Sequence, residues 1–122
     1  MVSRYLDSPM LIGNKKFDLR LYVLVTNYRP LRVWKSERGF ARFCHSDYSM
    51  ENTEDLFLHL TNTSLQKYGA NYNNIHGGKW PLRNVKFFME MNFGRKKAKK
   101  IEDEIDYLIL ASLKSVQVKN EK

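Results

Sequence analysis

The tightest constraint on what this chain can fold into is the alternation in Lys16-Phe17-Asp18-Leu19-Arg20-Leu21-Tyr22-Val23-Leu24-Val25-Thr26. Phe17, Leu19, Leu21, Val23 and Val25 recur at every second position, and Lys16, Asp18, Arg20, Tyr22 and Thr26 fall on the other side. A period of two is the signature of a strand with one buried face. The outward side stacks three charged groups, Lys16, Asp18 and Arg20, roughly 7 Å apart by strand rise. Such a row is either a solvated face, with Asp18 sitting between two cations, or a grip for a charged ligand; the strand alone leaves both open.

Around this strand the first third of the chain reads as a small antiparallel meander. Val2-Ser3-Arg4-Tyr5-Leu6 predicts a short strand, stopped by Asp7-Ser8-Pro9, because proline imposes an extended or turn conformation on its neighbour. Met10 to Gly13 connects to a turn at Asn14-Lys15. A second turn is expected at Asn27-Tyr28-Arg29-Pro30, then a strand at Leu31-Arg32-Val33-Trp34-Lys35. A third turn is expected at Ser36-Glu37-Arg38-Gly39, leading into Phe40-Ala41-Arg42-Phe43-Cys44. His45 to Asp55 reads as a loop, Leu56 to Asn62 as a compact apolar segment ending in polar groups, and Tyr68 to Lys79 as a glycine- and asparagine-rich connection.

Pro81 suits the first turn of a helix carrying Leu82, Val85, Phe88 and Met89 at helical spacing, with Gly94 as its stop. From Lys99 a second helix is expected, with Ile101, Ile105, Leu108, Ile109, Leu113 and Val116 as its apolar stripe. Glu102, Asp103, Glu104 and Asp106 stand in its first turns, favoured by the helix dipole. The fold class is therefore α+β, an antiparallel sheet followed by two C-terminal helices.

At 122 residues and 43% apolar, the chain is long enough for a hydrophobic core and too apolar for disorder. Its net charge of +8 points to an anionic partner. No apolar run reaches the length of a membrane span and no signal pattern opens the sequence, so a soluble, intracellular protein is expected. Cys44 is the single cysteine, which excludes an internal disulfide and a cysteine-built zinc site. His45, His59 and His76 lack ligand spacing for zinc, and Glu90 and Asn92 would point to different faces of a helix, so no metal site is read here. No phosphate loop or dinucleotide-binding fingerprint occurs. Read as residues alone, Arg42 is a surface arginine between Phe40 and Phe43, His59-Leu60-Thr61-Asn62 is a capped turn, and Lys79 is an exposed lysine after two glycines. The run Arg95-Lys96-Lys97-Ala98-Lys99-Lys100 is a solvated approach to a helix or a grip for an acidic partner.

Taken together, Ser3-Arg4-Tyr5-Leu6, Pro9-Met10-Leu11-Ile12-Gly13, Lys16-Phe17-Asp18-Leu19-Arg20 with Tyr22-Val23-Leu24-Val25, Pro30-Leu31-Arg32, Gly39-Phe40-Ala41-Arg42-Phe43, His59-Leu60-Thr61-Asn62 and Gly77-Gly78-Lys79-Trp80 resemble the tubulin tyrosine ligase-like family. The last motif resembles its polyglutamylase branch. The resemblance implies that residues 1–122 are the central part of an ATP-grasp catalytic domain, incomplete at both ends. The implied enzyme ligates L-glutamate to glutamate side chains of tubulin's acidic tails through an acyl phosphate made with ATP.

By the same resemblance, Ser3, Arg4, Tyr5 and Leu6 are expected along the adenine, with Lys16, Phe17, Asp18, Thr61 and Asn62 as further ATP contacts. Arg20 is expected on the phosphates as the catalytic cation, and Arg42 and Lys79 on the incoming L-glutamate. The family's magnesium ligands are expected beyond Lys122 and its other nucleotide-binding lysines before Met1, so the chain alone is expected to be catalytically incompetent. The implied partners are tubulin tails and microtubules, with no nucleic acid and no membrane, and the implied location is the cytoplasm and cytoskeleton, including the cilium or basal body. The rival reading is a non-catalytic basic module that binds acidic tubulin tails. A nucleic-acid-binding module is disfavoured, because basic and aromatic residues are not interleaved as a stacking platform.

Overall fold

A computed structural model describes residues 2–51, 59–61 and 78–117. Four strands, β1 (Leu11–Ile12), β2 (Lys15–Tyr28), β3 (Leu31–Phe43) and β4 (Lys79–Pro81), form one sheet in that order, and α1 (Leu82–Phe93) and α2 (Arg95–Ser115) follow. Strands β2 and β3 are neighbours joined by only Arg29 and Pro30, a connection that permits antiparallel pairing alone. Both edge pairs are antiparallel too: Leu11 stands opposite Lys16, and Phe40, Ala41 and Arg42 stand opposite Pro81, Trp80 and Lys79. The α+β sheet-then-helices architecture expected from the sequence is the one observed.

The chain divides into two compact units, Met1–Arg20 with Gly39–Pro81, and Leu21–Arg38 with Leu82–Lys122. In the first, Ile12, Ala41, Phe43 and Cys44 are buried. The Phe43 ring lies between Phe17, 5.3 Å away between centroids, and Trp80, 5.1 Å away. The pairing is extended past the strand ends by backbone bonds from Cys44 N to Lys16 O (2.9 Å), Phe43 N to Gly78 O (2.8 Å) and Tyr48 N to Asn14 O (2.7 Å).

In the second unit Leu82, Val85 and Met89 are buried along one face of α1, the spacing that periodicity predicts. No residue of α2 is buried; Ile101, Ile105, Ile109 and Leu113 form a half-buried row, and Leu108 is exposed. Ion pairs fasten the surface: Lys86 to Glu102 at 3.2 Å, Lys35 to Asp106, and Lys99 to Asp103 at 3.0 Å. Among the described residues no helix is long and apolar enough to cross a membrane.

Several local expectations change. Val2–Leu6 is not a strand: it is not paired into the sheet of the described residues, and Val2 and Leu6 are exposed. Ser36–Gly39 is not a turn, because β3 continues through it beside β2; the serine still takes a local bond, accepting from Arg38 N–H at 3.1 Å. Pro81 ends β4 rather than opening the helix, a position an edge strand tolerates because proline has no N–H to give. The second helix begins at Arg95, four residues before the expected start, directly after Gly94 (φ 85°). Of the compact apolar segment only His59–Thr61 are described, and 56–58, 62 and most of the glycine-rich connection fall outside the described residues.

Candidate functional site

The alternation of β2 brings Lys16, Asp18 and Arg20 to one side, and the register of β3 with β4 sets Arg42 directly across from Lys79. Opposed residues of an antiparallel pair share a face, so two cations stand side by side. Arg42 grips Asp18 with two bonds, Nε to Oδ1 at 3.0 Å and Nη2 to Oδ2 at 2.5 Å. This is the bidentate fork that a guanidinium makes with a carboxylate. It uses two of the five guanidinium N–H groups and leaves three to meet a ligand. The Thr61 hydroxyl, on a residue that is itself buried, also bonds Asp18.

Burial works to raise the Asp18 pKa, but the bonds from Arg42 and Thr61 and the charges of Arg42 and Arg20 outweigh it, holding the carboxyl below its ordinary range. The bond to Asp18 in turn raises Arg42, against the pull of burial. Asp18 is thus an anion fixed in place, and Arg42 a fixed cation.

Beside this pair, Lys16 turns its ammonium to the Tyr5 hydroxyl at 3.1 Å and sits 4.7 Å from the centre of the Tyr5 ring. Tyr5 in turn bonds His59 Nδ1 at 2.6 Å. The three described residues 59–61 are each tied to a different part of the chain: His59 to Tyr5, Leu60 O to the Cys44 thiol at 3.2 Å, and Thr61 to Asp18. Burial pushes the Cys44 thiol up to about 11, so it is a packed, un-ionised group rather than a nucleophile.

Lys79 opens β4 and is exposed, its ammonium 5.1 Å from the centre of the Phe40 ring. A cleft of about 820 Å³ lies here, lined among others by Lys15, His45, Asp47, Lys79 and Trp80. Lys15 is held at its side by Asp47 (3.2 Å) and the His45 carbonyl (2.8 Å). Gly78 has φ +67°, and a Cβ there would come within 2.6 Å of the His45 ring, so only glycine lets β4 start where it does. Burial and the neighbouring Lys15 lower the His45 pKa.

Of the residues expected in the site, Tyr5 and Lys16 form one bonded group with His59, and Asp18, Arg42 and Thr61 form a second, the two joined through the chain at residues 59–61, with Arg20 acting on Asp18 through charge and Lys79 across from Arg42. Phe17 faces away from Lys16 and Asp18 and packs on Phe43. Ser3, Arg4 and Leu6 are exposed and join no bond of either group, and Asn62 lies outside the described residues. Sequence reading assigned no site role to Tyr48 or Lys15, and weighed His45 and His59 only as zinc ligands, with His59 also part of a capped turn. The available signal was the His-Leu-Thr run itself, whose three polar or backbone anchors come from adjacent positions. Among the described residues no group of His, Cys, Asp or Glu comes together as a metal site.

The model of the family described as the tubulin-tyrosine ligase family matches residues 1–122. A Tetrahymena thermophila protein named a probable alpha-tubulin polyglutamylase, Ttll1, is 48% identical over 119 residues, covering 96% of this chain and 29% of that protein. The Caenorhabditis elegans probable tubulin polyglutamylase ttll-9 is 44% identical over 117 residues, 96% of this chain and 28% of its own. Tubulin glycylase 3F of Tetrahymena is 38% identical over 107 residues, 87% of this chain and 12% of that protein. The chain therefore spans less than a third of these relatives' lengths.

Proposed function

The chain belongs to the tubulin-tyrosine ligase family, and from that premise we propose that it supplies part of the ATP- and amino-acid-binding surface of a tubulin polyglutamylase. The observation that carries this reading is the fixed Asp18–Arg42 fork with Lys79 across from it and Lys16 and Arg20 on the same strand face. A triphosphate needs cations and a ribose needs an acceptor; Lys16 and Arg20 supply the first and Asp18 the second. The three unused N–H groups of Arg42, with the Lys79 ammonium, suit the two carboxylates of free L-glutamate. Thr61 holds Asp18 against the pull of a ligand, and Ser3–Leu6 with Asn62 are assigned to the nucleotide by resemblance.

In the reaction proposed for the whole enzyme, the γ-phosphoryl of ATP passes to an acceptor glutamate carboxylate on the tubulin tail, releasing ADP. The amine of free glutamate then attacks the acyl carbon, phosphate departs, and an amide forms. Magnesium is implied by this chemistry, but the donor set present does not fit it: Asp18 is a single carboxylate already sharing both oxygens with Arg42, and a magnesium site needs several oxygen ligands. We assign no step of this chain to the metal, and we place the chain's own role in binding rather than turnover. Its partners would be tubulin tails, and its location the cytoskeleton, including the cilium or basal body.

Calorimetry of ATP with the chain tests the reading. Saturable binding that weakens at least about tenfold in Lys16→Ala and Asp18→Ala is expected, from loss of charge-assisted bonds. Binding unchanged in both variants removes the site. Because one relative is named a glycylase, glutamate against glycine competition at Arg42 and Lys79 is the second arm, and Arg42→Ala should erase the preference for glutamate. The rival reading has one observation in its favour: Arg95, Lys96 and Lys100 are exposed and in no ion pair among the described residues. If acidic-tail binding survives Lys16→Ala and is lost on charge reversal across Arg95–Lys100, the chain is a docking module.

A further inference from the structure

We propose that His59 is a positioning residue for the nucleotide-binding lysine, acting on Lys16 through the Tyr5 hydroxyl. The proposal rests on the assignment of Lys16 to ATP made above. Lysine carries donors only, so the Tyr5 oxygen accepts from Lys16 at 3.1 Å. The hydroxyl proton is then directed to His59 Nδ1 at 2.6 Å, which places the imidazole's own proton on Nε2. A chain of donors and acceptors thus runs from an exposed ammonium to a buried ring.

The ring end of that chain is fixed. His59 is 8% exposed, and Tyr5 and Tyr48 meet it edge-on at 5.6 and 5.5 Å between centroids. Tyr48 is itself anchored, donating to the Asp7 carbonyl at 2.9 Å. The next two residues hold Cys44 and Asp18, so the histidine backbone has little freedom to drift. Fixing matters most for lysine, whose long unbranched stem otherwise samples many rotamers. A surface lysine ordinarily extends into water; Lys16 instead folds back over the Tyr5 ring, so its ammonium is aimed before a ligand arrives.

Two sets of variants test this. Tyr5→Phe removes the hydroxyl alone and keeps the ring, and His59→Leu removes the Nδ1 acceptor. Each should weaken ATP binding about five- to tenfold, the order of one hydrogen bond, and the double variant should be no weaker than either single one. His59→Asn, which keeps an acceptor where Nδ1 stood, should restore binding to within about twofold of the parent. Parent-like affinity in Tyr5→Phe, or losses that add in the double variant, overturns the proposal. Nitrogen NMR of the imidazole reads the same bond without nucleotide: Nδ1 should be unprotonated in the parent and its shift should move in Tyr5→Phe. A protonated Nδ1 or an unmoved shift also overturns it. A parent chain that binds no ATP overturns the nucleotide reading and with it the role given to Lys16, whereas the NMR arm then reports separately on whether the bond exists.

Discussion

In the unit made of Met1–Arg20 and Gly39–Pro81, His45, His59 and Thr61 are buried and a carboxylate is forked by an arginine. In the unit made of Leu21–Arg38 and Leu82–Lys122, the buried ones among the described residues are Leu82, Val85 and Met89, and the ion pairs ride on half-exposed or exposed side chains. Burying polar groups costs free energy that apolar packing does not, and each one must find a partner. One unit carries that cost and the other does not. The difference separates side chains whose geometry is held from side chains that hold a fold together.

The comparison breaks most readily at the apolar end. Leu82→Ala should cost about 2–5 kcal/mol of stability in urea titration, the range for emptying a buried leucine site. A loss well under that range would mean the second unit has no core of its own. The next effect in size is Asp18→Asn, which leaves the Arg42 fork half-made and should cost about 1–2 kcal/mol once the carboxylate's partial exposure is allowed for. Its pH dependence has a definite sign. The folded pKa lies below the ordinary 3.8, so the contribution is complete above about pH 4 and disappears as acid takes the carboxyl through its folded pKa. Asp18→Asn should lack that acid limb, and an unchanged limb would assign it elsewhere. The smallest effect is expected in the second unit: Glu102→Gln, which loosens the pairs to Lys86 and Lys35, should cost about 0.2–1 kcal/mol and fade at high salt. A larger, salt-insensitive loss would erase the contrast between the units.

What the sequence made legible follows the same line. The alternation of β2 and the Leu82, Val85, Met89 spacing of α1 were readable, because each reflects one face turned away from water along one element, half-buried in β2 and buried in α1. Ser36–Gly39 misled because serine and glycine state a local preference that the long ladder with β2 overrides. The start of α2 misled because Arg95, Lys96 and Lys97 stand at the end of a helix where the dipole disfavours cations. Lys16, Asp18 and Arg20 were legible as a row, but Arg42 became their partner only through the meeting of two strands. His59 carried no local signal of its bond to Tyr5, since the two lie 54 residues apart.

One side chain gives the first unit a built-in clock. Cys44 is the chain's sole thiol, is fully enclosed, donates to Leu60 O and ionises only near pH 11. An alkylating reagent attacks the thiolate, so at neutral pH the folded chain is silent to it. Every labelling event then records one excursion that uncovers Cys44, with its bond to Leu60 O broken. Slower labelling in the presence of a ligand would measure how firmly that ligand steadies the packing around Cys44, with no probe added to the protein.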